Sequence, residues 1–299
     1  MSNGKVISVW GSKGCGKTTA AVKIASEFAE RKMDTILVLT DILAPDINCL
    51  MPARKDLQTM GHLWSTPDCS MDTILKACNV TDSKHLAVLA FKSGENVFSY
   101  PEYTKENILD IFMKLKSLAD YIIVDCVEEF AFNILTMVSL ELADKVVRLH
   151  EPLMKSFSFF DSNMALLKDS RYKTDQHYKV LAKGKRSQAK EIAISHFGGI
   201  QAELPYSEDL ENQMLEGELF KKAEGKAMKE YNEGLNKIIA FIMDEEIEEL
   251  TKDKGHDKPL WKKSSKKKKV QKDKKAGKNA ASDLKSVRSA FKFRKKEAL

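Results

Sequence analysis

The chain has 299 residues, of which 43% are hydrophobic and 31% charged, and its formal net charge is +6. This length allows one large or two ordinary domains with a sizeable core. No apolar run reaches the ~18 residues of a membrane-spanning helix, and the N-terminus lacks the apolar segment of a secretion signal. The five cysteines form no CxxC pair, which is typical of a reducing compartment, so we expect a cytoplasmic protein.

The charge is divided unevenly along the chain. Residues 251–299 carry 19 Lys or Arg against 5 Asp or Glu, a net charge of +14, whereas residues 1–250 carry 30 against 38, a net charge of −8. Composition predicts a globular domain over 1–250, a disordered Lys-rich linker over 251–279 and a basic amphipathic helix over 280–299. Such a tail favours a polyanionic partner, either an anionic membrane surface or DNA bound without sequence preference; the alternative is a solubilising tail with no partner.

Short apolar runs alternate with helical patterns in the first 250 residues. The runs are rich in Val, Ile and Leu and typical of strands covered on both faces; they span 5–10, 34–40, 85–91, 121–127, 145–150, 177–182 and 200–206. Helical patterns span 18–31, 104–119, 129–143, 152–169, 187–196, 207–216 and 226–250. This alternation predicts an α/β fold with a mostly parallel sheet and helices on both faces, giving three layers.

A glycine-rich loop joins the first predicted strand to the first predicted helix. It fits the pattern GxxxxGK[ST] and, with one further threonine, consists of Gly11, Ser12, Lys13, Gly14, Cys15, Gly16, Lys17, Thr18 and Thr19. Its glycines permit a turn whose N–H groups converge on a phosphate, and the helix presents its positive end to the same anion. We expect Lys17 to reach the β- and γ-phosphates and Thr18 to offer its hydroxyl to Mg²⁺. Cys15 is interpreted as a packing residue rather than a redox thiol.

Two acids stand at the ends of predicted strands, where ligands of parallel sheets bind. Asp125 follows four apolar residues in YIIVD. It is the candidate for the carboxylate that Mg²⁺ needs in addition to the Thr18 hydroxyl. Asp41 follows TILVLT; it is either an ordinary turn acid or a group that orients the attacking water or holds a metal-bound water. The predicted catalytic residues are therefore Lys17, Asp41 and Asp125, and the predicted metal ligands are Thr18 and Asp125.

From about residue 4 to residue 243 the chain resembles the ParA/MinD superfamily of P-loop ATPases. The resemblance is carried by KGCGKTT (13–19), TILVLTD (35–41), DYIIVDC (120–126) and ADKVVRL (143–149). Within the superfamily the chain is most similar to the divergent CpaE/TadZ-type members, which are linked to pilus and secretion machinery. The resemblance implies ATP and Mg²⁺ as cofactors, a homodimer in the ATP-bound state, and slow hydrolysis that times attachment to a membrane or to nucleoid DNA.

The resemblance also assigns positions. It makes Asp125 the Walker B acid, puts Asp41 at the Walker A′ position, and puts Pro205 and Tyr206 near the nucleotide base.

Three departures from the family pattern favour nucleotide binding over fast hydrolysis. Ser12 replaces the signature lysine, with Lys13 one residue later; Asp41 lacks the second acid of the usual Asp-x-Asp; and Ala182-Lys183 replaces an asparagine that often contacts adenine.

These features lead to one main hypothesis and two alternatives. The main hypothesis is a weak ATPase that localises or assembles a pilus, secretion or conjugation machine, peripherally attached to the inner face of the membrane. One alternative is a nucleotide-binding scaffold that does not hydrolyse ATP. The other is a DNA-partition ATPase whose basic tail binds nucleoid DNA.

Overall fold

The computed structural model describes residues 4–185 and 190–245. The predicted linker over 251–279 and the predicted helix over 280–299 lie outside these residues, as do the start of the helix predicted from 187 and the end of the one predicted to 250. Within the described ranges, no helix combines the length and apolar character needed to cross a membrane.

The described residues form one sheet of eight strands. These are β1 (Lys5–Gly11), β2 (Thr35–Leu39), β3 (Asn79–Val80), β4 (Leu86–Ala90), β5 (Tyr121–Asp125), β6 (Lys145–His150), β7 (Tyr178–Ala182) and β8 (Ala202–Leu204). Their order in space is β3-β4-β2-β5-β1-β6-β7-β8, and every neighbouring pair is parallel except β3 and β4. The predicted α/β fold with a mostly parallel sheet is therefore confirmed, and β1 lies at its centre.

Ten α-helices surround this sheet in the part of the chain that the structure describes. They are α1 (Lys17–Glu30), α2 (Ile47–Leu50), α3 (Gly61–Ser65), α4 (Met71–Ala77), α5 (Lys105–Leu118), α6 (Ile134–Leu142), α7 (Met154–Asn163), α8 (Lys190–His196), α9 (Glu208–Leu215) and α10 (Lys229–Met243).

Two hydrophobic cores lie on opposite faces of the sheet. In β1, Val6 and Trp10 belong to the core that α5, α6 and α7 cover, while Ile7 and Val9 belong to the core that α1 and α10 cover. Because both faces are covered, successive strand residues are all buried, and the strands read as continuous apolar runs. Helices on both faces are thus confirmed.

Two predicted helices differ from the observed ones. The helix predicted over 129–143 is divided, because the Asn133 side chain accepts the N–H of Thr136 at 2.9 Å and caps α6. The helix predicted over 152–169 ends at Asn163, whose side-chain amide donates to the carbonyl of Phe159 at 2.8 Å. Such bonds compete with the helical ladder, and turns follow in place of the last predicted turns.

Candidate functional site

The glycine-rich loop follows β1 and turns into α1, at the carboxyl end of the sheet. Gly14 and Gly16 have φ values of 77° and 87°, in the left-handed region that glycine adopts at little cost. Gly11 is needed for a different reason, since a Cβ there would lie 2.4 Å from the carbonyl oxygen of Leu149 on β6. The three glycines therefore serve backbone geometry, as predicted for a loop that wraps a phosphate.

The loop ends at the positive end of α1. Gly16 occupies the N-cap position, and no side chain caps the first N–H groups of this 14-residue helix. Uncapped N–H groups and the helix dipole attract an anion at this point. The backbone thus has the form that the sequence predicts for a phosphate-binding element, and phosphate binding itself remains a prediction.

Lys17 is held against the loop by two oxygen atoms. Its Nζ donates to the carbonyl oxygen of Ser12 and to Oε2 of Glu128, both at 3.1 Å. Burial acts to lower the pKa of the Lys17 ammonium. The Cys15 thiol and the carboxylates of Glu128 and Asp125 outweigh burial and hold that pKa above its usual value, so the lysine is charged.

Glu128 is a residue of this site that the sequence did not predict. It lies in the loop after β5, and its side chain is only 17% exposed. Burial would raise the pKa of its carboxyl, but the Lys17 ammonium more than compensates and keeps that pKa below its usual range. An ionised Glu128 therefore competes with any phosphate for the same ammonium group.

Thr18 and two carboxylates form the second half of the site. The Thr18 hydroxyl lies 2.6 Å from Oδ2 of Asp125 and 3.4 Å from Oδ2 of Asp46. Burial raises the pKa of Asp125 to about 7 and that of Asp46 to about 6. The other oxygen of Asp125, Oδ1, is buried without a hydrogen-bond partner among the described residues. Asp46 was missed because it follows Pro45 in a loop, away from any strand end.

This donor set fits Mg²⁺. The metal prefers oxygen ligands, and a buried carboxylate with an unpaired oxygen is stabilised by a nearby cation. The described residues contain no group of three or more His, Cys, Asp or Glu side chains arranged as a metal site. Mg²⁺ commonly takes one or two carboxylates and completes its shell with phosphate oxygens and water, so Thr18 and Asp125 suffice as protein ligands.

Asp41 has the first of the two roles that the sequence left open, and its position is compatible with the second. Its Oδ1 accepts the N–H groups of Leu43 and Ala44 at 2.8 and 2.9 Å, which makes it a turn acid. It also lines the same cleft as Lys17 and Asp125, which has a volume of about 650 Å³. Its catalytic role remains a prediction.

The other loop side chains are divided between the core and the surface. Cys15 is fully buried, and burial raises the pKa of its thiol to about 12, in agreement with a packing role. Ser12 is buried as well, with its hydroxyl 3.0 Å from that of Ser156 on α7. Lys13 is 78% exposed, and its Nζ lies 3.9 Å from Oε1 of Glu128. Ser12 thus fixes the loop to α7, while Lys13 stands at the mouth of the cleft.

Pro205 and Tyr206 lie on the opposite side of the loop from Asp125. With Gly16, Thr19 and Lys183 they line a cavity of about 160 Å³. The Tyr206 hydroxyl donates to Glu211 at 2.8 Å, which fixes the ring at the cavity wall. The structure therefore brings both predicted base-binding residues to the phosphate loop; base binding itself remains a prediction.

Together, the central β1, the glycine loop and α1 define the fold class of P-loop nucleotide-binding proteins. Known structures with this fold include ATPases of the MinD and ParA type. MinD of Pyrococcus horikoshii, the septum site-determining protein complexed with Mg-ADP, is 16% identical with a TM-score of 0.61, over 80% of this chain and 95% of that one. A ParA family ATPase from Chlorobium tepidum is 17% identical with a TM-score of 0.63, over 79% and 99%.

A third similar structure is a putative plasmid partition protein of Borrelia burgdorferi bound to AMPPNP. It is 14% identical with a TM-score of 0.61, over 81% of this chain and 99% of that one. No protein-family model and no curated protein sequence matches this chain. At these identities the likeness establishes the fold, and the chain has the architecture of MinD and ParA over nearly the full length of those proteins.

Proposed function

We propose that this protein is a Mg²⁺-dependent ATPase that uses slow hydrolysis as a switch between an ATP-bound homodimer and a monomer. The observation that carries the proposal is the convergence of Lys17, Thr18 and Asp125 on one glycine loop at the positive end of α1. Three solved proteins with this fold are a MinD in complex with Mg-ADP, a ParA family ATPase and a putative plasmid partition protein bound to AMPPNP. These support adenine nucleotides as the ligands here.

Each side chain has a role in this proposal. The loop N–H groups hold the phosphates, and Lys17 exchanges its contact with Glu128 for the β- and γ-phosphates. Thr18 and Asp125 hold Mg²⁺, which supplies positive charge against the phosphate oxygens. Pro205 and Tyr206 contact the base. Asp41 orients water at the cleft, although its engagement in a turn favours slow turnover.

Exposed apolar side chains around the cleft support the homodimer. Leu43, Val97 and Phe132 line the cleft and are 79%, 55% and 94% exposed. Large apolar groups grouped at one surface commonly mark a protein contact. A second copy placed over the cleft would bury these side chains and enclose the nucleotide.

The finer proposal concerns the cargo and the surface. On the resemblance to CpaE/TadZ-type members, the ATPase localises or assembles a pilus, secretion or conjugation machine. It does so from the cytoplasm, peripherally at the inner face of the membrane, through residues 251–299. The similar structures are cell-division and partition proteins by name, which supports a positioning role in general and leaves partition of DNA as the competing cargo.

A scaffold without turnover is favoured by one specific observation. The place of the second acid in the Walker A′ pattern is occupied by Leu43, and Asp41 is bound to the backbone of its own loop. Under this alternative the protein binds ATP and dimerises, but releases no phosphate.

Nucleotide binding and phosphate release by the full chain test the main proposal. We expect Mg-ATP to bind and to be hydrolysed slowly by the wild type, and Lys17→Ala to lose roughly 100-fold or more in affinity, since the charged contact to the phosphates is removed. Lys76→Ala, which removes an exposed lysine on α4, is the matched control and keeps wild-type binding. Binding without phosphate release selects the scaffold; equal binding by Lys17→Ala and wild type contradicts both.

The surface is tested with residues 251–299 present and removed. Flotation with anionic vesicles that is lost on truncation supports the membrane; a gel shift with random-sequence DNA that is lost on truncation supports partition. If neither vesicle flotation nor the DNA gel shift changes on truncation, residues 251–299 are not the surface-binding element.

Light scattering with Mg-ATP measures dimerisation, and Phe132→Ser is expected to weaken the dimer.

A further inference from the structure

A separate cavity of about 470 Å³ lies between α7 and α8, against β6. It shares no lining residue with the two cavities beside the phosphate loop. Its polar walls are Arg148 and His150 from β6, Asp161 from α7, Lys168 from the turn after α7, and His196 from α8. A cavity of this size accommodates a small molecule.

Arg148 is a buried cation without an ionic partner. It is only 5% exposed, and no described carboxylate forms an ion pair with its guanidinium. Its Nε donates to Nε2 of His150 at 3.2 Å, and its Nη1 lies 3.3 Å from the Met164 sulfur. Burial lowers the pKa of Arg148 to about 10, and Asp175 opposes this only at longer range. A buried arginine in this situation gains free energy from any anion that reaches it.

His150 adds a buried donor that has no acceptor among the described residues. Because Arg148 donates to Nε2, that nitrogen is unprotonated, and the ring proton is on Nδ1. Nδ1 is buried and has no hydrogen-bond partner among the described residues. The ring is fixed between Phe160 and Phe197, with centroids 4.1 and 4.0 Å away. One buried donor on β6 therefore lacks an acceptor, two residues along the strand from a buried guanidinium that lacks an ionic partner.

The charges around the cavity favour an anion. Lys168 is exposed at the mouth of the cavity. Burial lowers the pKa of His150, and the positive charges of Arg148 and Lys179 lower it further, so Lys179 lies close to the ring. Asp161 is the carboxylate that lines the cavity, and it lies 3.1 Å from Nε2 of His196. The cations at the cavity thus outnumber its one carboxylate.

We propose that this cavity binds a small anion, a phosphate or carboxylate group carried on an apolar stem. The guanidinium of Arg148 receives the anionic group, because its planar fork matches both chemistries. The aromatic and thioether walls formed by Phe160, Met164 and Phe197 contact the stem. Lys168 attracts the ligand at the entrance.

Calorimetric titration of the full chain with phenyl phosphate and with benzoate tests the proposal and separates the two chemistries. We expect one of the probes to bind the wild type and Lys76→Ala equally, since this exposed lysine does not line the cavity. Arg148→Met should bind at least tenfold more weakly, while Arg171→Met, which removes an exposed arginine paired with Asp169, should bind as the wild type does. Failure of both probes to bind at millimolar concentration, or equal binding by Arg148→Met, overturns the proposal.

Two further measurements distinguish loss of the binding site from a folding defect in Arg148→Met. Lys168→Ala changes only an exposed side chain and should weaken binding about threefold. Without probe, Arg148→Met should melt at or above the wild-type temperature, because the methionine does not need a counter-ion. Wild-type affinity in Lys168→Ala together with a lower melting temperature in Arg148→Met would show that Arg148 is a structural group and the cavity no anion site.

Discussion

Asp125 and Arg148 are buried charges of opposite sign on the two strands that flank β1. Asp125 ends β5 and has an oxygen without a hydrogen-bond partner among the described residues; Arg148 lies within β6 and has no described ion pair. Burial raises the pKa of the acid to about 7 and lowers that of the arginine to about 10. In both places the folded chain bears the cost of a charge that a ligand of the opposite sign would offset.

The two regions differ in how readily they can be predicted from the sequence. Asp125 is the first polar residue after a run of apolar ones, so the sequence could predict its position beside the glycine loop. Arg148 interrupts the strand KVVRLH, where a polar residue reads as an irregularity of the core. A buried charge without an ionic partner therefore indicates a candidate ligand site even where no motif surrounds it.

The largest effect is expected from Asp125→Asn, which separates ligand binding from stability at the first of these sites. If Asp125 holds Mg²⁺ in the proposed ATPase, its replacement should lower ATP hydrolysis roughly 100-fold or more. Removal of a buried charge should at the same time raise the melting temperature at pH 8 without Mg²⁺ by several degrees. Phosphate release and thermal denaturation measure the two effects. A variant that loses both activity and stability would show that the ionised carboxylate holds the fold together, contrary to this account.

The pH dependence of stability sharpens the comparison next. The pKa of Asp125 is about 7 in the folded state against the usual 3.8 of an aspartate, so between about pH 4 and pH 7 the folded chain binds a proton that the unfolded chain has lost. The free energy of unfolding therefore falls as pH rises through this range, by at most about 4 kcal/mol from this group. Asp46 acts in the same direction up to about pH 6.

Denaturant titrations of wild type and Asp125→Asn over this range, with EDTA or with Mg²⁺, measure that contribution. We expect the difference between the two proteins to grow with pH in EDTA and to shrink when Mg²⁺ is present, because the metal favours the ionised form. A pH-independent difference would contradict the assigned pKa.

Much of the fold followed from local patterns. The strand runs such as KVISVW are uninterrupted because helices cover both faces, and that burial is the same property that makes them visible in the sequence. The short elements α2, α3, α4 and β3 were not predicted, since four to seven residues, or two in β3, carry too little periodicity. The helix α7 ends at Asn163, whose side-chain amide bonds back to the carbonyl of Phe159, and a periodic pattern does not express such a contact.

The site was predictable where the motif fixes the backbone. Gly11, Gly14 and Gly16 are required by geometry, and Lys17 and Thr18 follow from the pattern. Glu128 and Asp46 were not predictable, because each reaches the site through the path of a loop. Their contacts join residues 111 and 28 positions apart, and no local signal encodes such distances.

Glu128→Gln tests a partly buried charge, which differs from Asp125 and Arg148 in forming an ion pair within the protein. Lys17 is neutralised by Glu128, so a phosphate must displace this carboxylate before it can bind the ammonium. Removing the negative charge while keeping the side-chain shape should raise ATP affinity about three- to tenfold, equivalent to about 1 kcal/mol. Equilibrium titration with a fluorescent ATP analogue measures this. Weaker binding by the variant would mean that Glu128 positions Lys17 for the phosphate instead of competing with it.

The smallest effect is expected from Lys13→Ala, which removes an exposed charge, in contrast to the buried Asp125 and Arg148 and the partly buried Glu128. Its side chain is 78% exposed, and its ammonium lies 3.9 Å from Glu128 at the edge of an ordinary ion pair. Exposed pairs of this kind contribute less than about 1 kcal/mol, so ATP affinity of the monomer should change by no more than about twofold. The same titration, followed by light scattering with Mg-ATP, shows whether or not Lys13 contributes to dimerisation. If dimerisation is lost while monomer affinity is kept, Lys13 reaches the nucleotide of the partner subunit despite its one-residue displacement; if both are kept, the loop has given up that contact, and its binding energy resides in Lys17 and the backbone alone.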